Sequence, residues 1–405
     1  MRRSIFTSPM FIIVCGCLIS AITFGVRGTF GLFTAPLSDA HGWSREVYSF
    51  AMALQNLVWG AAMPLAGAIA DKYGNARVLI AGATLFSLGT SAMAYADSPL
   101  IMHLAGGVLV GLGVAGASFA IVMSAFVRVV PEEKRSWAFG ISTAAGSLGQ
   151  FLFAPLGQAF ITAYGWQNAL VLLGLCVLFV IVLALPLHGK SEHKTPLATD
   201  LDLGQTLKQA FFHKSYLLLS GGFFVCGFHV AFIATHLPPY LTDEGLDASY
   251  AAWAIAIIGL ANVVGSYLSG VLGGIYSKRL LLSGLYFSRA IVLMIFVLLP
   301  PTPVVAFVFA IAMGFLWLST VPLTNGLVLI MFGTRYMTTL FGFVLFSHQV
   351  GAFLGVWLGG VLYERTGSYE IVWWIAVALG LMAALIHWPI EERSAEEPEV
   401  MAKPL

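Results

Sequence analysis

Two arginines interrupt the apolar segments of this 405-residue chain. Arg27 lies in the first apolar run and Arg289 in the ninth. A charge at the centre of a bilayer costs about 2.5–3.5 kcal/mol even on the lenient insertion scale, so each arginine must face protein or a wet cavity. No Asp or Glu falls inside an apolar run, which makes an anionic ligand the direct candidate for the missing counter-charge. The alternative is that the guanidinium groups bind helix-end carbonyls, and for Arg289 the two interpretations weigh equally.

A second group of polar side chains lies in apolar runs of the C-terminal half. His229 and His236 are seven residues apart, which places them on nearly one face of a helix, and His348 is followed directly by Gln349. A neutral imidazole can donate to a carboxylate, and an unperturbed pKa of about 6.5 also lets it carry a proton. With Asn262, these residues are candidate ligands of the anion. Hydrogen bonding between helices explains each of them about equally well.

The residue types and their spacing give little support for metal binding, catalysis or disulfide formation. The histidines have no carboxylate or cysteine at metal-ligand spacing, so we expect no metal. No nucleophile–base pair stands out, and we expect neither an enzyme nor a bound cofactor. The four cysteines all lie in apolar runs without repeated CxxC spacing and are interpreted as packing residues.

The amino-acid composition indicates that most of the chain lies in a lipid bilayer. Apolar residues make up 59% of the chain and charged residues 10%, with a mean hydropathy of +0.89. Soluble domains carry about 25% charged residues, so a soluble globule is excluded and a protein with many membrane spans is predicted. The net charge of +1 implies no nucleic-acid partner.

Apolar runs of about 20 residues predict an all-α membrane protein with twelve transmembrane helices. The only long polar stretch divides them into six and six. The predicted organisation is an N-terminal six-helix bundle over 1–187, a cytoplasmic linker over 188–214, a C-terminal six-helix bundle over 215–390 and a cytoplasmic tail over 391–405. The predicted spans are 10–37, 47–70, 77–95, 99–127, 136–163, 168–187, 216–241, 250–276, 280–299, 302–332, 337–363 and 369–388.

The basic residues orient these spans. With a cytoplasmic N-terminus, only Arg45 and Arg365 among the loop and tail cations fall outside. Cytoplasmic loops are enriched in Lys and Arg, so we expect both termini in the cytoplasm and a multi-pass protein of the inner membrane.

One loop carries a recognisable motif. Between spans 2 and 3, glycines for a tight reversal alternate with a carboxylate and two cations, in the order Gly67, Asp71, Lys72, Gly74 and Arg77. The corresponding loop of the second half, from Gly270 to Arg279, repeats the glycines and cations without the acid. The first loop resembles the GxxxD(R/K)xGxR gating loop of the major facilitator superfamily, whose members have two six-helix halves around a midplane site.

Within that superfamily the chain is similar to the monocarboxylate transporters, including bacterial members, and to the oxalate:formate antiporters. The similarity rests on the stretches FGVRGTFGLFTAPLSDAHGWSR, RSWAFGISTAAGSLGQ, HQVGAFLGVWLGG and TGSYEIVWW. It implies that Arg27 takes the position of a functional lysine in animal members. Two features depart from that branch: Asn262 and Ser266 replace its aspartate and arginine in span 8, and its acidic-Gly-Gly-Trp signature in the first helix is missing.

The residues and the resemblance together predict a secondary transporter that moves a small organic anion by alternating access, with proton symport. Arg27, His229, His348, Arg289, Asn262, His236 and Gln349 are the predicted substrate residues. A proton-independent anion exchanger is the main alternative, and a drug or metabolite efflux carrier is a weaker one. The expected partners are the anion, protons and the lipid bilayer, and we expect a monomer.

Overall fold

The structure, a computed structural model, describes residues 8–188, 203–333 and 337–395. All regular structure in these ranges is helical, so the all-α prediction is confirmed. The first half contains α1 Pro9–Gly28, α2 Thr34–His41, α3 Arg45–Tyr73, α4 Asn75–Met93, α5 Pro99–Met102, α6 Val110–Gly116, α7 Phe119–Val129 and α8 Glu132–Ala184. The second half contains α9 Leu203–Phe212, α10 Lys214–Asp243, α11 Ala248–Gly273, α12 Lys278–Leu298, α13 Pro303–Leu316, α14 Thr320–Phe332, α15 Met337–Thr366 and α16 Glu370–His387.

Eleven stretches of the described residues are long and apolar enough to cross a membrane, and one of them crosses twice. Helix α8 has 53 residues, which at about 1.5 Å per residue is more than twice the hydrocarbon thickness. It reverses at Gly165, whose φ of 78° and ψ of 161° leave the helical region. Glycine adopts such a φ without steric cost. Spans 5 and 6 are therefore the two arms of α8, and the prediction of twelve spans is confirmed.

Three spans are broken near their middle. Span 1 changes from α1 into a 3₁₀ turn over Phe30–Phe33 and then into α2. Span 4 contains a π-helical segment over His103–Leu109 near its start, and it is interrupted farther along between α6 and α7, at Ala117 and Ser118. Span 10 is interrupted between α13 and α14. Such breaks leave backbone carbonyls and N–H groups without their helical partners, and membrane proteins tolerate this where protein or a cavity satisfies them.

Each half has its own buried core. One cluster of buried apolar side chains lies almost entirely within the first half, and two further clusters lie almost entirely within the second. The halves meet where α3 packs against α15 and α8 against α11. The division at 188–214 stays a prediction: α9 lies within that stretch, and residues 189–202 lie outside the described part. Residues 396–405 of the predicted tail also lie outside it.

The close packing of α1 against α8 depends on a glycine. A Cβ at Gly149 would lie 2.0 Å from the backbone oxygen of Ala21, far inside van der Waals contact. Gly140, earlier in the same helix, has no such role, because a Cβ there would meet nothing within 4 Å.

We expect Gly149→Ala to destabilise the protein by about 1–3 kcal/mol, because overpacking forces the two helices apart. Gly140→Ala is the matched control on the same helix, and it should be neutral or stabilising because alanine favours helix more than glycine does. Thermal unfolding of the purified variants in detergent measures both. Equal stability of the two variants would contradict the packing argument.

Candidate functional site

Arg27 lies in the last turn of α1, immediately before the break in span 1. Its side chain is half-buried. The Nη2 group donates to Oδ1 of Asn56 at 2.5 Å, and the guanidinium carbon lies 4.8 Å from the ring centroid of Trp59. Asn56 is itself held by donation to the backbone oxygen of Met52 at 2.8 Å. Arg27 is therefore positioned by an amide and an aromatic face of α3, with no carboxylate among its recorded partners in the described part of the chain.

Several polar atoms of Arg27 and of residues that pack on α3 are buried without a hydrogen-bond partner. They include Nε of Arg27, Nε1 of Trp59 on α3, and both side-chain amide atoms of Gln349. Gln349 belongs to the other half, and it reaches α3 at Gly60, where a Cβ would lie 2.8 Å from the Gln349 side chain. Buried polar atoms usually have partners, so an unpaired one requires an explanation, such as a bound water molecule, ion or ligand. Arg27, Trp59 and Gln349 together present donors and acceptors from both halves.

The glycines beside Arg27 serve close approach between helices. A Cβ at Gly31 would lie 2.2 Å from the backbone oxygen of Ala234 on α10, and one at Gly25 would lie 2.4 Å from the ring of Phe153 on α8. Span 1 therefore touches both its own half and the opposite half within two helical turns of Arg27. Movement between the halves must change the surroundings of this arginine.

Four of the seven predicted substrate residues are buried and hydrogen-bonded within the protein. His229 and His236 are 0% exposed, and their Nε2 atoms lie 2.8 Å from the backbone oxygens of Ala376 and Val356, respectively. Asn262 is 2% exposed. It donates to Oγ of Ser147 in the first half at 2.9 Å, and its Oδ1 accepts from Ser266 and from the Leu318 backbone, each at 2.9 Å.

Arg289 binds the break in span 10. Its Nε and Nη2 donate to the Leu316 oxygen at 3.2 and 2.6 Å, and Nη2 also donates to the oxygen of Trp317. It is 0% exposed, and its guanidinium carbon lies 5.2 Å from the ring of Tyr286. These contacts are the helix-end bonds that the sequence offered as the alternative to ligand binding. Of the other predicted substrate residues, His348 is half-buried on α15, with its ring centroid 4.9 Å from that of Phe223.

One end of the molecule is closed by an ion pair that the sequence analysis did not predict. Arg45 at the start of α3 forms a bidentate salt bridge with the carboxylate of Asp243 at the end of α10, in which Nη2 donates to Oδ1 at 2.6 Å. Arg45 also donates to the hydroxyl of Tyr369 at 3.1 Å, and its guanidinium carbon lies 4.2 Å from the centroid of the Tyr363 ring. We call this face of the molecule the Arg45 end.

The opposite face carries the loop motif, and we call it the Asp71 end. Asp71, Lys72 and Arg77 are exposed. Gly74 separates α3 from α4 with a φ of 96°, which allows the predicted tight reversal. The hydrogen bonds recorded between the halves among the described residues lie at the Arg45 end and near the middle of the spans, such as that of Thr34 with the Thr235 oxygen. The structure is therefore closed at the Arg45 end.

The second copy of the loop obtains an acid from elsewhere in the chain. The carboxylate of Glu392, beyond the last span, accepts from the hydroxyl of Ser277 at 2.6 Å and from the backbone N–H of Arg279 at 2.8 Å. It thus caps the N-terminus of α12, where a negative charge is favourable. The Arg279 side chain in turn donates to the backbone oxygen of Trp388 at 2.9 Å.

We expect Glu392→Gln to lower the stability of the protein by about 0.5–2 kcal/mol, the usual range for losing a helix cap. Glu391→Gln is the matched control, because the Glu391 carboxylate forms an exposed pair with Arg393 and such pairs contribute about 0–1 kcal/mol. Thermal unfolding in detergent measures the difference. An unchanged midpoint for Glu392→Gln would show that the carboxylate does not stabilise this loop.

Two six-helix halves, broken spans at the middle and an ion pair closing one end define a membrane carrier. The family model of the Major Facilitator Superfamily matches residues 16–356, and the chain belongs to that superfamily. The chain is 25% identical over 385 residues to the uncharacterized MFS-type transporter YcxA of Bacillus subtilis, covering 92% of this chain and 93% of that one. It is 27% identical over 394 residues to monocarboxylate transporter 11 of Homo sapiens, covering 91% and 80%.

The fold is also similar to that of solved structures. The D-xylose-proton symporter superposes with a TM-score of 0.73 at 14% identity, covering 96% of this chain and 99% of that one. A bacterial homolog of the human lysosomal transporter Spinster gives 0.73 at 14% identity, covering 95% and 97%. The predicted membership of the superfamily is confirmed. The protein is a multi-pass membrane transporter of a small molecule, not an enzyme.

Proposed function

We propose that this transporter moves a small organic anion, of the monocarboxylate type, by alternating access. The observation that carries the proposal is Arg27, a half-buried cation of span 1 with an unpaired Nε and no recorded carboxylate partner in the described residues, one turn before Gly31, which packs against the other half. A carboxylate placed there would accept from a charged donor, and hydrogen bonds to charged groups contribute about 1.5–3 kcal/mol each. Monocarboxylate transporters among its relatives support the same substrate class.

The remaining predicted residues take different roles in this proposal. Arg27 and Gln349 contact the anion from opposite halves, with Trp59 as an additional contact and His348 beside them. Asn262, His229, His236 and Arg289 hold helices together at the recorded hydrogen bonds. The loop from Gly67 to Arg77 acts in gating at the Asp71 end. We further propose that the Asp71 end and both termini are cytoplasmic, that the protein lies in the inner membrane, and that it works as a monomer.

Proton symport is the proposed coupling, and anion exchange without protons is the second candidate. Both follow from Arg27, because a bound anion can be neutralised by a proton or exchanged for another anion. Efflux of cationic drugs fits less well, because a cation in the membrane needs a carboxylate as its counter-charge and no Asp or Glu falls inside an apolar run.

A binding and transport assay tests the proposal. The purified protein is heated with a panel of monocarboxylates and dicarboxylates, with tetraphenylphosphonium as the cationic probe. A ligand at 100 times its Kd stabilises the folded state by about 2.7 kcal/mol, so a bound carboxylate should raise the Tm. In proteoliposomes the stabilising carboxylate should accumulate under an inward pH gradient. Counterflow that ignores pH would favour exchange, and stabilisation by the cation alone would overturn the proposal.

A further inference from the structure

The charge of Arg289 is fully buried and has no recorded carboxylate partner among the described residues. Its Nε and Nη2 bind backbone oxygens of the span 10 break, and Nη1 has no hydrogen-bond partner. Removing an ion from water costs free energy even after the protein relaxes, and buried charges in proteins are usually paired. An acidic group beside Arg289 would supply the missing negative charge.

The groups around Arg289 come from five helices and include two weak acids. Cys226 of α10 and Tyr286 of α12 are both 0% exposed and interact electrostatically with Arg289, whose guanidinium carbon lies 5.2 Å from the Tyr286 ring centroid. The Sγ atom of Cys226 is 3.2 Å from Oγ1 of Thr320, the first residue of α14. The imidazole of His348, on α15, approaches the same thiol. The other titratable group facing Arg289 is His229, whose Nε2 is already engaged with the Ala376 oxygen.

Chemistry distinguishes the two acids. An unperturbed thiol has a pKa of about 8.5 and a phenol of about 10, so the thiol is the group that more readily becomes the counter-ion of a buried guanidinium. A neighbouring arginine favours the thiolate form of a cysteine. Cys226 also has an acceptor for its proton when it is a thiol, namely the hydroxyl of Thr320.

We propose that Cys226 is a proton-binding site inside the second half, with Arg289 as the counter-ion of its thiolate and His348 as the group that exchanges protons with it. The S–H bond breaks as a nitrogen of His348 takes the proton, and the S–H electron pair stays on sulfur. The half-buried imidazole then releases the proton to water. This inference rests on the proposed proton symport, for which it supplies a site in spans whose apolar runs contain no Asp or Glu.

The site adjoins an element that can respond to the proton. Arg289 binds the end of α13, and Thr320 begins α14 after the break. Protonation of Cys226 removes the charge opposite Arg289 and engages the thiol with Thr320. The bonding across the break in span 10 therefore changes with the proton, which is one physical route by which a proton can bias the conformation of a carrier.

Infrared spectroscopy of the purified full-length protein tests the site without any substrate. The S–H stretching band of Cys226 is the part of the thiol signal missing from Cys226→Ser. We expect this band to lose intensity as the pH rises through the physiological range. The S–H band of Cys176, a half-buried cysteine of span 6 that is assigned in the same way with Cys176→Ser, should stay constant. Removing the counter-ion, as in Arg289→Gln, should keep the Cys226 band at full intensity through the same titration, and His348→Gln should slow its exchange with deuterium.

The outcomes separate this inference from the proposed function. A Cys226 band that stays constant with pH in the parent protein overturns the proton site, even if proton-driven uptake is measured. A titrating band in a protein whose transport ignores pH gradients leaves the thiol as a proton site and overturns proton symport. If Arg289→Gln does not fold, the comparison of the parent with Cys226→Ser and Cys176→Ser still decides the question.

Discussion

Arg27→Gln is expected to reduce carboxylate uptake by ten-fold to more than a hundred-fold at equal expression. The substitution keeps a polar side chain but shortens it and removes the charge that lies over Trp59 and beside Asn56. The loss of one to two charge-assisted hydrogen bonds, at about 1.5–3 kcal/mol each, gives this range because every 1.4 kcal/mol is a factor of ten. Uptake of the stabilising carboxylate into proteoliposomes is the measurement.

Two further variants make this result specific to the site. Arg27→Lys keeps the charge but loses the planar fork, so we expect partial activity with a raised KM. Arg365→Gln removes an exposed arginine in the last turn of α15 and should leave uptake unchanged. Transport by Arg27→Gln at the parental rate would show that the anion binds elsewhere. An equal loss in Arg365→Gln would point to a general effect of surface charge.

The twelve spans could be predicted from the sequence because lipid imposes a simple rule. Every backbone polar group in hydrocarbon must be bonded internally, so each crossing is a helix of about 20 apolar residues that composition reveals. The reversal at Gly165 was predicted as a boundary between spans 5 and 6, although the two helices run on with only that one non-helical residue. The break that places Arg27 at a helix end could not be predicted, because it depends on contacts with α8 and α10.

The sequence identified the two membrane arginines but could not distinguish their surroundings. Both are charges in apolar runs, yet Arg27 meets side chains of α3 and Arg289 meets backbone oxygens of a broken helix. The break in span 10 becomes evident only in the structure, where backbone oxygens at the end of α13 have no helical partners and bind Arg289 instead. The same limit explains Glu392, which is 113 residues from Arg279 and appeared as part of a charged tail.

The ion pair at the Arg45 end was missed because its partners are 198 residues apart and both lie at the ends of spans. By the distribution of Lys and Arg, Arg45 was one of two loop or tail cations expected on the outer side, and no partner was predicted for it. Its geometry indicates a gate instead. The Arg45 and Asp243 side chains are 12% and 29% exposed, so water screens them only in part. They join the first half to the second at a place where separation of the halves must break both hydrogen bonds.

Asp243→Asn should therefore open the Arg45 end more often. Loss of the charge pair removes about 1–3 kcal/mol from the closed state, which corresponds to a five- to 150-fold shift in the equilibrium between the two conformations. Amide hydrogen exchange detected by mass spectrometry should increase over 34–50 and 236–250, which flank the pair. Glu244→Gln, the neighbouring exposed acid, is the matched control and should leave exchange unchanged.

The charge-reversed double variant Arg45→Asp with Asp243→Arg tests whether the two residues act as a pair. Each single reversal places like charges together and should raise exchange at the Arg45 end, whereas the double variant should recover much of the protection. If the increase in exchange in the double variant equals the sum of the increases in the two single variants, the residues stabilise their own helices rather than the contact between the halves. Recovery would establish this contact as a gate, because a bond made in only one of two conformations shifts the equilibrium by its own free energy.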